Sequence, residues 1–203
     1  MKVALIGISG RVGTRVADEL LRRGHEVTGI ARQVAGVAPR QGLTVVPGDA
    51  SAPAALAPLL AGHAAVISAG RFVSMEADAL LAAVRQARVP RLLVVGGAGS
   101  LEVAPGQALI DTPQFPAAYK PEASAGLRFL QALRAQEAVD WTFLSPAALF
   151  EPGARTGRFR LGGDALMADA QGNSRISMED YAIALVDELE TPRHSRRRFS
   201  VAY

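Results

Sequence analysis

Three glycines at the first predicted strand-to-helix junction are the clearest candidate for a binding site. The chain reads GISGRVG from Gly7 to Gly13, after the apolar run KVALI and before TRVADELLRRG. A helix N-terminus presents backbone N–H groups and about half a positive charge to an anion, and glycine leaves that backbone bare. The stretch therefore predicts a diphosphate site, although the glycines could serve only the turn. Its expected residues are Gly7, Ser9, Gly10, Arg11, Val12 and Gly13.

The end of the second predicted strand indicates which dinucleotide binds. HEVTGIAR ends at Arg32, nineteen residues after Gly13, and no carboxylate follows it closely. A site for NAD places Asp or Glu there against the ribose 2′-hydroxyl, whereas arginine suits the 2′-phosphate of NADP. Arg11 adds a second positive charge. We expect NADP(H), with NAD(H) less favoured; an ordinary solvated arginine is the alternative.

The ends of the other predicted strands also suit a cofactor, because ligands of parallel sheets bind beyond the carboxyl ends of strands. Asp49, followed by Ala50, is expected to accept a hydrogen bond from the adenine amine. Small residues at two further strand ends leave room for the ribose and its neighbours. They are Ser68, Ala69, Gly70, Gly96 and Gly97, each of which could instead serve only a turn.

Two candidate catalytic residues bracket a long interval without clear periodicity, from Ala98 to Tyr119. Connections of this length usually have a function, so we expect a lid or substrate loop rather than a tolerated insertion. Tyr119 is the favoured candidate, as a hydroxyl donor to a substrate carbonyl, and Ser100 is the second. The alternatives are an aromatic anchor for the loop and a strand-terminating serine. No metal site is predicted, since cysteine is absent and the histidines are not clustered.

The elements that must position these residues alternate regularly. Six apolar runs, KVALIG, HEVTGIAR, LTVVPGD, AAVISAG, RLLVVGG and DWTFLSP, are separated mostly by Ala- and Leu-rich helical stretches. This order predicts a single α/β domain over residues 1–203 with a Rossmann-type doubly wound parallel sheet. Short alternating stretches with turn signals predict a small C-terminal lobe, residues 150–176, of short strands or hairpins. A helix capped by Ser177 and a last strand, RRFSVAY, should follow.

Composition argues against several other classes of protein. The longest run without Asp, Glu, Lys or Arg, residues 50–70, is interrupted by Pro53, Pro58 and His63, so no membrane span is expected, and the start lacks a secretory signal. We expect a cytoplasmic protein without membrane partners. The net charge of +3 is densest at RHSRRR, Arg193 to Arg198, where no aromatic residues interleave, so a polyanion patch there is less favoured than a solvated turn. Nucleic acid is not an expected partner, and monomer and homodimer both stay open.

Several segments together resemble the atypical short-chain dehydrogenase/reductases: GISGRVG, Arg32, the GD at Gly48 and Asp49, VISAG, LLVVGGAGS, FLSPA and ISMEDYA. The chain is most similar to the NAD(P)H-binding branch described as NADH-flavin reductases, which is related to biliverdin reductase B and to the NmrA-like proteins. The resemblance implies a Rossmann sheet with a C-terminal substrate lobe and hydride transfer from the nicotinamide. It also implies that Pro146, in FLSPA, lies on the segment that passes the nicotinamide ring.

The sequence departs from the short-chain dehydrogenases that act on alcohols and ketones. Those enzymes use a serine after the fifth strand and a Tyr-x-x-x-Lys pair, but Gly96 and Gly97 fill the serine place and Ala123 follows Tyr119 where lysine should stand. A flavin or quinone acceptor has less need of such a proton-donating pair, because its ring can hold the negative charge that hydride transfer adds. We therefore expect an NADPH-dependent reductase of a flavin, quinone or similar conjugated small molecule. A non-catalytic NADP(H) sensor and a sugar-nucleotide epimerase or dehydratase are the alternatives.

Overall fold

Strands and helices alternate along the chain, and the computed structural model describes all of residues 1–203. The strands are β1 (Lys2–Ile6), β2 (Glu26–Ala31), β3 (Leu43–Pro47), β4 (Ala65–Ser68), β5 (Arg91–Val95), β6 (Glu102–Ala104), β7 (Gln107–Ala108), β8 (Asp140–Pro146), β9 (Leu149–Glu151), β10 (Arg160–Gly162), β11 (Arg175–Ser177) and β12 (Arg197–Ala202). The helices are α1 (Arg11–Arg22), α2 (Pro53–Leu60), α3 (Ala77–Gln86), α4 (Lys120–Arg134) and α5 (Met178–Glu190).

One eight-stranded sheet forms the centre, in the order β10-β12-β8-β5-β4-β1-β2-β3. Every neighbouring pair is parallel except β10 with β12, which is antiparallel. The predicted Rossmann-type doubly wound sheet is therefore confirmed, and RRFSVAY supplies its parallel strand β12. The strand order reverses at β1 and β4, which is where such sheets open a cleft for ligands.

Two apolar clusters of 24 buried residues each cover the faces of the sheet. Alternate strand residues enter opposite clusters, for example Leu5 the cluster under α1 and α5, and Ala4 the one under α2, α3 and α4. Strands buried on both faces are continuous apolar runs, which is why five of the six are visible in the sequence; the sixth, β3, is an edge strand without a buried residue. None of the helices combines the length and hydropathy that a bilayer-spanning segment requires.

The C-terminal segment differs from the expected hairpins. The strand β10 pairs with β12 at the edge of the main sheet, and β11 pairs in parallel with β9. The glycine-containing turns at Gly162-Gly163 and Gly172-Asn173, which suggested hairpins in the sequence, therefore do not join paired strands. Each short strand pairs instead with a strand that is not its neighbour in the chain. The long interval before α4 also contains regular structure, namely the β6–β7 hairpin and three short 3-10 turns.

A buried carboxylate on α1 ties this C-terminal segment to the Rossmann core. Glu19 is 3% exposed and accepts two hydrogen bonds of 2.9 Å from Arg155 and one of 2.8 Å from Arg23. Burial alone raises the pKa of Glu19, but the hydrogen bonds from Arg155 and Arg23 outweigh it and hold the pKa below its ordinary value. The folded chain therefore favours the ionised form.

Glu19→Gln is expected to make the stability of the fold less sensitive to acid. Because the folded-state pKa is depressed, the stabilisation is complete above the unfolded pKa of about 4.5 and is lost as the pH falls through the folded pKa. Denaturant unfolding at several acidic pH values measures the effect. The unfolding free energy of the wild type should fall further between pH 6 and pH 3, roughly, than that of the variant. Parallel profiles would contradict the assignment.

Candidate functional site

The glycine loop between β1 and α1 is built to receive an anion. Gly10 caps α1 without a side-chain hydrogen bond, and the first turn carries no acidic residue. The backbone N–H groups of Arg11, Val12 and Gly13 find no acceptor in the chain. Three free donors at the positive end of a helix fit one phosphate group of a dinucleotide.

Side chains are excluded from this loop by close backbone approach. Gly7 has φ +85°, and a Cβ there would lie 2.7 Å from the Ala69 carbonyl oxygen. A Cβ on Gly13 would lie 2.0 Å from the Gly7 carbonyl oxygen. The loop therefore packs against both the end of β4 and the start of α1, and the glycines do more than permit a turn.

Two cavities meet over this loop and form one cleft. The first, of about 580 Å3, lies over the ends of β1, β2 and β3. The second, of about 910 Å3, lies over the ends of β5 and β8 and under the segment before α4. Four residues line both cavities: Gly10, Ala69, Gly70 and Arg71. The cleft thus runs past the glycine loop on both sides, as a dinucleotide requires.

The smaller cavity contains the predicted nucleotide-recognition residues. Arg32, Asp49, Ala50 and Ser9 all line it. The Arg32 side chain is exposed and makes no hydrogen bond or ion pair within the chain. Asp49 accepts hydrogen bonds from the backbone N–H of Ser51 at 2.9 Å and from its hydroxyl at 2.8 Å, which lower the pKa of Asp49. A free cation and an ionised carboxylate therefore stand at this end of the cleft.

The larger cavity contains the predicted nicotinamide and catalytic residues. Gly96, Gly97, Pro146, Ser100 and Tyr119 line it, together with Arg11 and Val12. Its wall is mainly apolar and includes Phe72, Phe115, Phe143 and Phe150. A Cβ on Gly97 would meet no atom within 4 Å, so this glycine leaves open space in the cleft.

The two catalytic candidates differ in how free they are to act. Tyr119 is 66% exposed at the wall of the larger cavity, and its hydroxyl has no partner in the chain. The Ser100 hydroxyl accepts a hydrogen bond of 3.3 Å from Arg198, which also donates to the Ser100 carbonyl at 3.2 Å. Tyr119 is therefore the freer donor.

Two of the predicted residues line neither cavity. Ser68 is 1% exposed, and its hydroxyl donates to the Met75 sulfur over 3.7 Å. Gly13 is buried where α1 packs on the loop. Both contribute through packing next to the cleft.

Sequence reasoning missed two side chains that hold the cleft in shape. Tyr181 on α5 is fully buried; it donates to the Leu144 carbonyl at 2.7 Å and accepts from the Gly96 N–H at 3.3 Å. Burial raises the pKa of Tyr181 far above its ordinary value, so the hydroxyl stays protonated. It joins the ends of β5 and β8. The motif ISMEDYA contains this tyrosine, but nothing local indicates its partners.

The second is Glu122, in the first turn of α4. Its carboxylate accepts from the backbone N–H of Phe72 at 2.7 Å and of Val73 at 3.3 Å. It thereby fixes the short turn that follows β4 against α4, across the larger cavity. An acidic residue in a first helical turn is usual on electrostatic grounds, so its sequence position gave no sign of this contact.

Comparisons with known proteins agree with this geometry. The chain is 43% identical over 211 residues to the uncharacterized Bacillus subtilis protein YwnB, covering 99% of this chain and 98% of YwnB. A Bacteroides thetaiotaomicron structure, provisionally named an epimerase, is 41% identical with a TM-score of 0.95, over 100% of this chain and 96% of that one. A Streptococcus pneumoniae structure, provisionally named an NADH-flavin reductase, is 36% identical with a TM-score of 0.87, over 100% and 99%. The family described as NAD(P)H-binding matches residues 7–192. With a glycine loop and cleft that fit a dinucleotide, this chain belongs to the NAD(P)H-binding family of Rossmann proteins.

Proposed function

We propose that the protein is an NADPH-dependent reductase of a flavin, a quinone or a similar conjugated small molecule. The observation that carries the proposal is the continuous cleft, which leads from the glycine loop into a mainly apolar chamber of about 910 Å3. A bound nicotinamide supplies hydride. An aromatic-lined chamber beside the ends of β5 and β8 suits a planar acceptor ring.

The chain's own residues have distinct tasks in this proposal. The loop N–H groups bind the diphosphate, Arg32 binds the 2′-phosphate, and Asp49 accepts from the adenine amine. Pro146 and the glycine pair Gly96-Gly97 form a surface without long side chains, against which the nicotinamide ring packs. The apolar chamber excludes water and orients the acceptor ring, and such positioning is the main requirement for hydride transfer between two bound rings.

The missing Tyr-x-x-x-Lys pair favours such an acceptor over a simple ketone. Ala123 lines the larger cavity at the place of the lysine, and Lys120, next to Tyr119, is exposed outside that lining. No lysine therefore lines the cavity beside the Tyr119 hydroxyl. Reduced flavins and quinones hold the added negative charge in their rings, and water can supply the proton.

A second candidate is an enzyme acting on a sugar nucleotide, because the Bacteroides relative is provisionally named an epimerase. Arg11 and Arg71 line the larger cavity and suit a diphosphate, but the rest of its wall is mainly apolar. A non-catalytic NADP(H) sensor would use the same cleft without turnover. An NADPH-dependent reductase would be located in the cytoplasm, where this cofactor is available. Its binding partner would be a small molecule, and the cleft is compatible with either a monomer or a homodimer.

A spectrophotometric screen of NADPH oxidation separates these functions. FMN and a benzoquinone should each accelerate oxidation, whereas UDP-glucose should neither do so nor protect the protein thermally. Thermal protection by UDP-glucose, which follows occupancy, would favour the epimerase. Tight NADPH binding without turnover of any acceptor would favour the sensor. Either result would overturn the reductase proposal.

Tyr119→Phe is expected to lower kcat about two- to tenfold, the effect of one uncharged hydrogen bond to the acceptor carbonyl. Its affinity for NADPH should be unchanged, because the hydroxyl lies at the substrate side. Steady-state kinetics with the quinone and calorimetry with NADPH measure the two quantities. Tyr119→Ala, which also removes the ring, is the comparison and should raise KM as well. An unchanged kcat in Tyr119→Phe would restrict Tyr119 to packing.

A further inference from the structure

A third cavity lies apart from the cofactor cleft, at the edge of the sheet where β8 and β12 begin and α4 ends. It measures about 580 Å3 and shares no lining residue with the two cavities of the cleft. Its charged lining consists of one carboxylate, Asp164, and four arginines, Arg134, Arg196, Arg197 and Arg198. We call it the arginine cavity. Its lining has a large excess of positive charge.

The single carboxylate does not neutralise this cluster. Arg134 donates to Asp164 at 3.0 Å, and Arg198 also donates to Asp164 and to Ser100. The guanidinium groups of Arg196 and Arg197 form no hydrogen bond and no ion pair in the chain, and both residues are exposed. The guanidinium donors of Arg196 and Arg197 therefore remain free, whereas those of Arg134 and Arg198 already bind the Asp164 carboxylate.

A buried polar atom in the same wall also lacks a partner. Trp141 lines the arginine cavity, is 2% exposed, and its indole Nε1–H has no acceptor in the chain. An indole nitrogen can only donate, so any partner must be an acceptor. The nitrogen has almost no accessible surface, so a ligand in the cavity does not contact it directly, and Trp141 serves as a reporter beside the cavity.

The backbone at Arg196 forms a tight turn beside this cavity. Arg196 has φ +52°, in the left-handed region that glycine adopts most easily. Its N–H donates to the Trp141 carbonyl at 2.7 Å, which fixes the turn directly beside the tryptophan.

We propose that the arginine cavity binds a small oxyanion of the phosphate class, such as pyrophosphate or the diphosphate of a nucleotide. Arginine forks bind phosphate oxygens in pairs, and the guanidinium groups of Arg196 and Arg197 have no acceptor in the chain. The site is concave and about the size of a small ligand. Its aromatic rings are poorly placed for base stacking, since Trp141 and Phe199 are buried and His194 is already stacked on Phe199, with ring centroids 4.0 Å apart.

Trp141 makes the test direct, because it is the only tryptophan in the chain. Inorganic pyrophosphate is titrated into protein that carries one molar equivalent of NADP+, which fills the glycine loop without an excess to compete at the arginine cavity, at constant ionic strength. We expect a saturable change in Trp141 emission that sodium chloride does not reproduce. A parallel titration with ADP identifies the source: tighter binding of ADP indicates a nucleotide, and tighter binding of pyrophosphate indicates free phosphate.

Arg196→Gly removes one guanidinium and suits the left-handed backbone, so the fold should be retained. It is expected to weaken pyrophosphate binding at least tenfold. Arg88→Gly is a matched control, since Arg88 is also an exposed arginine with positive φ, +56°, and lies outside the cavity. It removes the same charge and should leave the affinity unchanged. The proposal is overturned by the absence of a saturable signal, by equal weakening in both variants, or by tighter binding of a DNA oligonucleotide than of pyrophosphate.

Discussion

Gly13→Ala is expected to lower the affinity for NADPH more than a hundredfold and to destabilise the fold. The new Cβ would lie 2.0 Å from the Gly7 carbonyl oxygen and 2.8 Å from the Gly7 carbonyl carbon, and both are backbone atoms that no rotamer change can move. Either α1 shifts away from the loop or the loop opens. Both movements misplace the free N–H groups of Arg11 and Val12, and overpacking of this kind typically costs about 1–3 kcal/mol or more of stability. Calorimetry with NADPH and thermal unfolding measure the two effects.

Two further variants separate loss of binding from loss of folding. Gly36→Ala is the matched control, because a Cβ there meets no atom within 4 Å and the backbone is not left-handed. It should bind NADPH like the wild type. Gly10→Ala is milder than Gly13→Ala, since its Cβ would lie 3.2 Å from the Gly7 carbonyl oxygen. The Gly10→Ala protein should fold, but its affinity for NADPH should be lower than that of the wild type, because the new methyl group lies where a phosphate would approach the loop. Wild-type affinity in a folded Gly13→Ala protein would remove the basis of the cofactor site.

The parts of this fold that could be predicted are those encoded over short stretches of chain. Strands buried on both faces are continuous apolar runs, and the glycine loop is recognisable because strand, turn and helix are contiguous in sequence. The edge of the sheet was not predictable in this way. The strand β10 has three residues and pairs with β12, where Leu161 lies opposite Val201, 40 positions later in the chain. No local pattern distinguishes that pairing from a hairpin.

The site residues also differ in whether short stretches of sequence could predict them. Arg32 and Asp49 follow strands, so topology alone brings them to one end of the cleft. Ser68 shows the limit of that argument, because adjacent residues at a strand end point to opposite sides: Ser68 faces Met75, and Ala69 lines the cleft. The contacts of Tyr181 with Leu144 and of Glu122 with Phe72 join residues far apart in sequence. Only the packing of α4 and α5 on the sheet creates them.

Arg32→Ala is expected to weaken NADPH binding about ten- to a hundredfold and to leave NADH binding unchanged. The guanidinium is free in the chain and lines the smaller cavity of the cleft, where the proposed function places the 2′-phosphate. A hydrogen bond to a charged group contributes about 1.5–3 kcal/mol, which corresponds to this range of affinities. NADH lacks the 2′-phosphate, so the loss of the guanidinium should not change its affinity. Calorimetric titration of both cofactors measures the difference.

Arg128→Ala is the control for a general effect of charge, since Arg128 is exposed on α4 and lines none of the three cavities. It should alter neither affinity. Arg32→Asp extends the argument, because a carboxylate at this position accepts from a ribose 2′-hydroxyl and repels a 2′-phosphate. It should therefore bind NADH more tightly than NADPH, and added salt should reduce the discrimination in the wild type and in this variant. An equal loss of both cofactors in Arg32→Ala would mean that Arg32 supports the cleft without reading the phosphate, and the preference for NADPH would then have no residue to explain it.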